Sequence, residues 1–245
     1  MSSLAYTRYE LLRAFRNKRF FLFSLGFPLL LYVITAAPNK DETNLQGTGL
    51  SAPLYFMVSM ASWGTMTAML GTGARIAGER EVGWNRQLRI SPLTPFSYLR
   101  AKVAISYLMA GLSVVLLYSA GVILGVRLPA DEWLGMTGLI LVGLVPFAAA
   151  GVLLGHKLNT DTIGPALGGG TAILALVSGT WFPVDKSGFL HDIAVDLPSY
   201  WLVQANRVAL GGDGWPLRGW LVVAVWSVVL TVLAARAYRA DTGRA

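Results

Sequence analysis

The sequence has 245 residues, of which 54% are hydrophobic and only 13% are charged. A soluble domain carries about a quarter charged residues, so this composition excludes a disordered chain, a fibrous repeat and an ordinary soluble enzyme. The absence of cysteine excludes disulfides, zinc–thiolate sites, iron–sulfur clusters and thiol catalysis. We therefore expect an all-α membrane protein that crosses the bilayer several times.

Residues 4–18 form the first predicted element, a helix that is too charged to cross a bilayer. Its apolar residues recur at helical spacing, and they are Leu4, Leu11, Leu12 and Phe15. Its arginines lie elsewhere around the helix. This pattern is typical of an amphipathic helix in the membrane interface. An ordinary solvated basic segment is the alternative.

Six segments are predicted to span the membrane. A hydrocarbon core about 30 Å thick needs about 20 apolar residues in a helix. The segments that meet this length without any charged residue or histidine are 20–37, 53–74, 103–126, 133–155, 162–184 and 219–235. Six spans place both termini on the same side of the membrane.

The basic residues predict which side that is. With six spans, 15 of the 20 Lys and Arg residues lie on the side of the termini and 5 lie on the other side. Because Lys and Arg are retained in cytoplasmic segments, both termini are predicted to be cytoplasmic. The net charge of +7 is then explained without a nucleic-acid partner.

The segment 75–102 is predicted to be the longest cytoplasmic loop, at 28 residues. Gly78 and Gly83 flank the stretch Glu79-Arg80-Glu81, and prolines break its far end. Residues 82–90 are long enough for two turns of helix. Because a connector between adjacent spans needs only a handful of residues, we interpret this loop as a docking element for a soluble partner.

The outer loop at 183–215 contains two apolar runs, 189–197 and 200–210, that are too short to span the membrane. Runs of this length are typical of re-entrant or interfacial helices. In the preceding span, Gly164 and Gly168 flank Pro165. This spacing predicts a helix that packs closely or bends, or else an incidental pair of glycines.

The sequence lacks motifs that are typical of catalysis, nucleotide binding or metal binding. The chain contains no phosphate-binding P-loop and no nucleophile elbow, and its two histidines, His156 and His191, are predicted to lie on opposite sides of the membrane. We therefore expect no catalytic, cofactor-binding or metal site. The lack of charge within the spans also disfavours proton-coupled transport and intramembrane hydrolysis.

Two stretches carry a family resemblance. The first is Gly78-Glu79-Arg80-Glu81-Val82-Gly83 with Leu88, Ser91-Pro92-Leu93 and Lys102. The second is Ser178-Gly179-Thr180-Trp181-Phe182-Pro183 with Pro198-Ser199-Tyr200, Arg207 and Gly211. Together they resemble the ABC-2 type permease family, the membrane subunits of ATP-binding cassette exporters, over nearly the whole chain. The sequence departs from the family at Trp84-Asn85-Arg86, where Thr-Leu-Glu is usual, and at Ala101 and Leu197.

The resemblance implies one transmembrane domain over 1–245, with an elbow helix at 4–18, a coupling helix within 75–102 and outer re-entrant helices within 183–215. It implies that the ATPase-coupling residues are Glu79, Arg80, Glu81, Gly83, Leu88 and Pro92. The implied outer motif is Phe182, Pro183, Pro198 and Arg207. The implied partners are a separate ATP-binding cassette subunit, which hydrolyses the ATP, a second identical or similar permease, and the lipid of the plasma membrane.

The second span carries an apolar strip that consists of Phe56, Met57, Met60, Trp63, Met66 and Met69. The strip faces either a transport pathway or lipid. Residues predicted to line a pathway or a dimer contact are Phe56, Met60, Trp63, Gly164 and Gly168. An apolar lining favours export of a hydrophobic or amphipathic small molecule, such as a drug, antibiotic or lipid. The alternatives are polysaccharide export, a secondary transporter without an ATPase, and a membrane enzyme or immunity protein.

Overall fold

The chain folds into α-helices packed around one long buried helix. The structure is a computed structural model that describes residues 3–83, 94–185, 187–211 and 214–243. Within these residues it contains helices and turns without β-strands, which confirms the all-α prediction. The α-helices are α1 (Ser3–Arg16), α2 (Lys18–Phe21), α3 (Phe27–Ala36), α4 (Ala52–Glu81), α5 (Pro95–Ile123), α6 (Ala130–Gly143), α7 (Val145–Lys157), α8 (Thr160–Val177), α9 (Phe189–Ala194), α10 (Pro198–Val203) and α11 (Leu217–Gly243).

Helix α4 lies at the centre and contacts α3, α5, α7, α8 and α10. Most of its side chains are buried. A helix that is covered on all sides needs no polar face, which explains why its apolar residues show almost no amphipathic pattern. Some of its buried hydroxyl groups donate to backbone carbonyls of the same helix, as in the 2.7 Å bond from Thr65 to Ala61.

Three helical stretches among the described residues are long and apolar enough to cross a bilayer: Phe96–Ile123, Ala130–Lys157 and Leu217–Asp241. They coincide with the third, fourth and sixth predicted spans. Ser24–Ala36 is a shorter apolar helix in the first. The second and fifth predicted spans coincide with α4 and α8, where small and polar residues lower the hydropathy. The complete six-span arrangement stays a prediction.

Two predicted spans are interrupted. In the first, a π-helical turn at Leu22–Gly26 separates α2 from α3. In the fourth, α6 ends at Gly143 and α7 begins at Val145. Pro146 has no backbone N–H to donate to the preceding turn, which explains why the helix is broken at that point.

The predicted loop at 75–102 is wrong in its extent. Helix α4 continues to Glu81 and α5 begins at Pro95, so both helices extend into it. Val82 and Gly83 form a turn, and a helix over 82–90 therefore does not begin at Val82. Residues 84–93, which include the predicted coupling residues Leu88 and Pro92, lie outside the described part of the chain.

The predicted outer re-entrant segment contains two short helices, α9 and α10, followed by a 3₁₀-helix at Gln204–Leu210. The first apolar run forms a shorter helix than the predicted 189–197. Every residue of α10 is buried. The Trp201 indole donates to the carbonyl of Val195 at 2.9 Å, which fixes the two short helices to each other.

Candidate functional site: a charged junction beside a cleft

The Glu-Arg-Glu stretch lies in the last turn of α4, where the chain enters residues 84–93. The Glu79 side chain is buried there, at 1% exposure. Arg13 of α1 donates to Glu79 Oε1 at 2.8 Å, and the Tyr98 hydroxyl of α5 donates to Oε2 at 2.6 Å. Lys102, also on α5, donates to Oε1. Glu79 therefore joins three helices.

Lys102 is completely buried, at 0% exposure, and its Nζ also lies 2.9 Å from Glu10 Oε1 on α1. A buried ammonium group is tolerated only when it is paired, and Lys102 has two carboxylate partners. Tyr6 packs beside this cluster with its ring centroid 6.0 Å from that of Tyr98. Burial, and then the nearby carboxylates of Glu10 and Glu79, raise the pKa of the Tyr6 phenol.

Arg80 points to the other side of α4. Its Nε lies 2.8 Å from Oδ2 of Asp241 in α11, and its Nη2 donates to Asp241 Oδ1 at 2.9 Å. Its Nη1 donates to the carbonyls of Gly155 and Leu158 at 2.9 and 3.2 Å. A cation at this point complements the negative C-terminal end of α7. His156 Nδ1 lies 3.0 Å from Asp241 Oδ2 and completes the cluster.

Glu81 binds a third side of the bundle, because its carboxylate accepts from the Thr160 hydroxyl at the start of α8. Three consecutive residues thus tie the end of α4 to α1 and α5, to α7 and α11, and to α8. We call this set the charged junction, and it consists of Glu10, Arg13, Glu79, Arg80, Glu81, Lys102, His156 and Asp241. Glu79 and Arg80 bind within this chain, so their predicted part in ATPase coupling would be transmitted through the junction.

Gly83 ends α4 with a backbone φ of +70°. Its N–H donates to the Arg80 carbonyl at 3.1 Å and closes the last turn. Residues other than glycine adopt this left-handed conformation at a cost, so the position favours glycine for a structural reason. Gly83 thereby fixes the direction in which the chain leaves the charged junction.

A cleft of about 1760 Å³ lies beside α4, between α3 and α8. Its lining includes all five predicted pathway residues, which are Phe56, Met60, Trp63, Gly164 and Gly168, together with Phe182 of the outer motif. The remaining methionines of the predicted strip, Met57, Met66 and Met69, are buried away from the cleft in the core. The strip is therefore divided between two faces of α4. Whether its cleft-lining part faces a transport pathway or lipid stays a prediction.

The two halves of the cleft differ in shape. Gly71, Ala74 and Gly78 line its part near the charged junction, where small side chains leave space. Aromatic rings line the other half. We call the half near the charged junction the wide end and the aromatic half the narrow end. Trp63 contacts Phe27 and Trp181 in edge-to-face geometry, with centroids 5.6 and 6.2 Å apart. We call these three residues the aromatic cluster.

The close helix contacts involve glycines that the sequence analysis did not select. A Cβ on Gly155 of α7 would lie 2.8 Å from the Gly73 carbonyl oxygen of α4, and one on Gly151 would lie 2.7 Å from that of Met69. Gly151 and Gly155 have the small-xxx-small spacing, so a signal was present in the sequence. Cβ atoms on Gly164 and Gly168 would meet nothing within 4 Å.

The outer motif residues do not form one site. Phe182 is exposed at the cleft, Pro198 is buried at the start of α10, Arg207 is exposed and Pro183 is half-buried. Neutral hydrogen bonds fix this segment to the first half of α4. Tyr55 donates to the Gly179 carbonyl, and Ser62 donates to that of Leu202 at 2.9 Å.

Comparison with known proteins gives two matches. The family model described as ABC-2 family transporter protein matches residues 32–236. A protein of Bacillus subtilis (strain 168) named "Putative transport permease YvfS" is 31% identical over 195 residues, which cover 78% of this chain and 78% of that protein.

Proposed function

Because this chain belongs to the ABC-2 family of transporter membrane proteins, we propose that it is the permease subunit of an ATP-driven exporter. Its cargo is a hydrophobic or amphipathic small molecule, moved out across the plasma membrane. Family membership implies pairing with an ATP-binding cassette subunit, and ATP is bound and hydrolysed there. The observation that carries the proposal is the position of the charged junction, which connects the entrance to residues 84–93 with the helices beside the cleft.

In this proposal the chain crosses the membrane six times and both termini are cytoplasmic. The spans are the helix interrupted by the π turn (18–36), then α4, α5, the broken helix 130–157, α8 and α11. Helix α1 lies in the cytoplasmic interface. Its exposed Tyr9, Leu12 and Phe15 face lipid, while Tyr6 and Ala14 pack inward. The division of the basic residues supports this orientation.

The mechanism is mechanical. Closure of the ATPases on ATP moves residues 84–93, and Gly83 passes this movement to the end of α4. Glu79 ties that end to α1 and α5 by buried ionic contacts. Arg80 ties it to α11 by a partly exposed ion pair and to α7 by hydrogen bonds, so these helices move with α4. Helix α8 is attached there through the hydrogen bond of Thr160 to Glu81. The cleft between α4 and α8 therefore changes shape, and the aromatic cluster opens on the outer side.

Two permeases form the working unit, either two copies of this chain or this chain with a similar one. The glycines of α8 support this arrangement, because space beside Gly164, Gly168, Gly169 and Gly170 is not filled by this chain. The cleft is then completed by the second permease.

The test of coupling uses Glu81→Ala and Gly83→Pro. Both variants are expected to abolish transport while the protein still inserts in the membrane and still binds its ATPase. Val82→Ala is the matched control, because this neighbouring side chain is 76% exposed. Normal transport and normal ATPase stimulation by both variants would contradict the mechanism. Failure of any cassette ATPase to co-purify would instead favour a secondary transporter or a non-transport protein.

Single cysteines test the topology in this cysteine-free chain. Cysteines at Ser2, Gln87, Asn159 and Thr242 should be protected from an impermeant reagent in intact cells, and those at Asn44, Asp131 and Lys186 should be labelled. Labelling of Gln87→Cys would overturn the orientation.

The cargo class is tested by deleting the gene and comparing tolerance to a panel of amphipathic drugs. Reduced tolerance supports the proposal. Unchanged tolerance together with loss of a surface polysaccharide would move the protein to the polymer-exporting branch.

A further inference from the structure

The charged residues that line the cleft all have the same sign. Among its described lining residues, Arg13, Arg16 and Arg75 are charged, and none is Asp or Glu. All three arginines lie at the wide end of the cleft, on α1 and on the last turns of α4. A ligand that enters by this end meets guanidinium groups before it meets the apolar wall.

The carboxylates near this entrance do not balance its cations. Glu10 and Glu79 lie among Arg13, Arg75 and Lys102, which is three cations against two carboxylates. Arg16 adds a further cation to the lining of the cleft. Arg75 directs its Nη2 at the hydroxyls of Thr72 and Ser106, at 3.2 and 3.0 Å, both of which are neutral. At a membrane boundary, where the effective dielectric constant is low, such an excess attracts anions strongly.

The narrow end supplies hydrogen-bond donors that have no partner among the described residues. The indole N–H groups of Trp63 and Trp181 are buried and have no hydrogen-bond partner among the described residues. Trp63 itself is 8% exposed. A buried donor without a partner is unfavourable, so a ligand oxygen placed there gains a contact that the chain leaves unmade.

The distance between the two ends sets the size of the ligand. Trp63 and Arg75 are twelve residues apart on α4, which corresponds to about 18 Å along the helix axis. The wall between them is apolar or small, and it includes Leu70, Gly71 and Ala74. The hydroxyl of Thr67 donates to the carbonyl of Trp63, so its proton is already used within the helix.

We propose that the cleft binds an anionic amphiphile. Its phosphate or carboxylate head is held by Arg16 and Arg75 at the wide end, its apolar body lies along α4, and an oxygen at the far end of that body accepts from the Trp63 indole. This inference rests on the proposed function and narrows its cargo class. The proposal favours anions over lipophilic cations, because every charged residue of the described lining is an arginine.

The test measures binding of radiolabelled palmitate to the permease purified with its ATPase in nanodiscs of zwitterionic lipid. Empty nanodiscs give the background from partitioning. We expect saturable binding that hexadecyl phosphate displaces and that hexadecyltrimethylammonium and hexadecanol do not. Equal or better displacement by hexadecyltrimethylammonium would overturn the proposal. Palmitate binding no greater than that of empty nanodiscs would also overturn it, and would indicate that a second permease or bulk lipid occupies the cleft.

Variants test which residues bind the ligand at each end of the cleft. Arg75→Gln and Arg16→Gln are each expected to weaken palmitate binding about tenfold, since charge-assisted hydrogen bonds are lost. Arg75→Lys should restore most of the binding. Arg8→Gln is the control, because Arg8 is exposed on the same helix as Arg16 but does not line the cleft. Unchanged binding by Arg16→Gln and Arg75→Gln would contradict the assignment.

Trp63→Phe keeps the ring and removes the donor. Wild-type protein should prefer ω-hydroxypalmitate to palmitate, and the variant should lose that preference while it retains palmitate binding. Equal preference in both proteins would overturn the role of the indole. Co-purification of the ATPase and export of an amphipathic dye are read separately. If they persist without palmitate binding, this inference alone fails, whereas loss of ATPase association refutes the proposed function itself.

Discussion

The two ends of α4 are attached to the rest of the molecule by different forces. The C-terminal end is fixed by buried charges, with Glu79 and Lys102 almost inaccessible to solvent. The N-terminal half is fixed by neutral hydrogen bonds from Tyr55 and Ser62 and by packing against α10. The ion pair in that outer segment, between Arg218 and Asp196, is exposed on both sides. Removing the partner of a buried charge leaves that charge unpaired and is strongly destabilising, whereas the loss of one neutral hydrogen bond costs little.

The largest difference should come from Glu79→Ala. Its loss leaves Lys102 buried with Glu10 as its remaining carboxylate, and breaking a buried ion pair costs about 3–5 kcal/mol. The free energy of unfolding, measured by SDS titration in mixed micelles, should fall by that amount. Glu81→Ala is the control, because Glu81 lies at the exposed end of the same turn. Equal stability of the two variants would refute the comparison.

A smaller effect on stability is expected where α7 crosses α4, between the two ends of α4. Gly155→Val would force side-chain atoms against the backbone of Gly73, and overpacking of this kind costs about 1–3 kcal/mol. Thermal unfolding in detergent measures the loss. Gly169→Val on α8 is the matched variant, since a Cβ there meets nothing within 4 Å. If Gly169→Val is the more harmful, the glycines of α8 form the tighter contact.

In the N-terminal half, Ser62→Ala should cost about 0.6 kcal/mol, the average for a hydrogen bond between membrane helices. It removes the bond to the Leu202 carbonyl but leaves no charge unpaired. The same SDS titration applies. Ser119→Ala is the control, because the Ser119 hydroxyl donates within its own helix to Val115. A loss as large as that of Glu79→Ala would remove the distinction between the two ends.

The smallest effect is expected for Arg218→Ala. The Arg218 and Asp196 side chains are 58% and 67% exposed, and an exposed ion pair contributes at most about 1 kcal/mol. Thermal unfolding at low and at high salt should therefore give nearly the same difference from the wild type. A strong dependence on salt would indicate that this pair carries more of the stability than its exposure implies.

The sequence was sufficient to predict the all-α class and the apolar helices, but it placed the Glu79-Arg80-Glu81 stretch in a loop instead of the last turn of α4. It could not predict what those side chains bind. Glu79 and Lys102 are 23 residues apart and lie in segments that read as a charged loop. Only the packing of α4 and α1 against α5 reveals that they are buried together. For the same reason the second span was predicted to end at residue 74, before the first charged residue, whereas α4 continues for seven more residues to Glu81.

Two further features of the fold had a signal in the sequence that the predictions did not use. Pro146 indicated the break between α6 and α7, and Gly151 with Gly155 indicated the crossing with α4. Gly164 and Gly168 have the same spacing but border an open space. Spacing alone does not distinguish a glycine that permits contact from one that leaves a cavity, because the difference depends on which helix lies opposite.

The π turn at Leu22–Gly26 has a consequence for the rotational phase of the first predicted span. A π turn accommodates one residue more than an α turn, and one residue corresponds to about 100° of rotation in an α-helix. Phe27, Leu31 and Ile34 line the cleft on the far side of this turn. A regular α-helix of the same length would present that face rotated by about 100° relative to α2. The shape of the cleft therefore depends on this π turn, whose Ser24 itself lines the cleft.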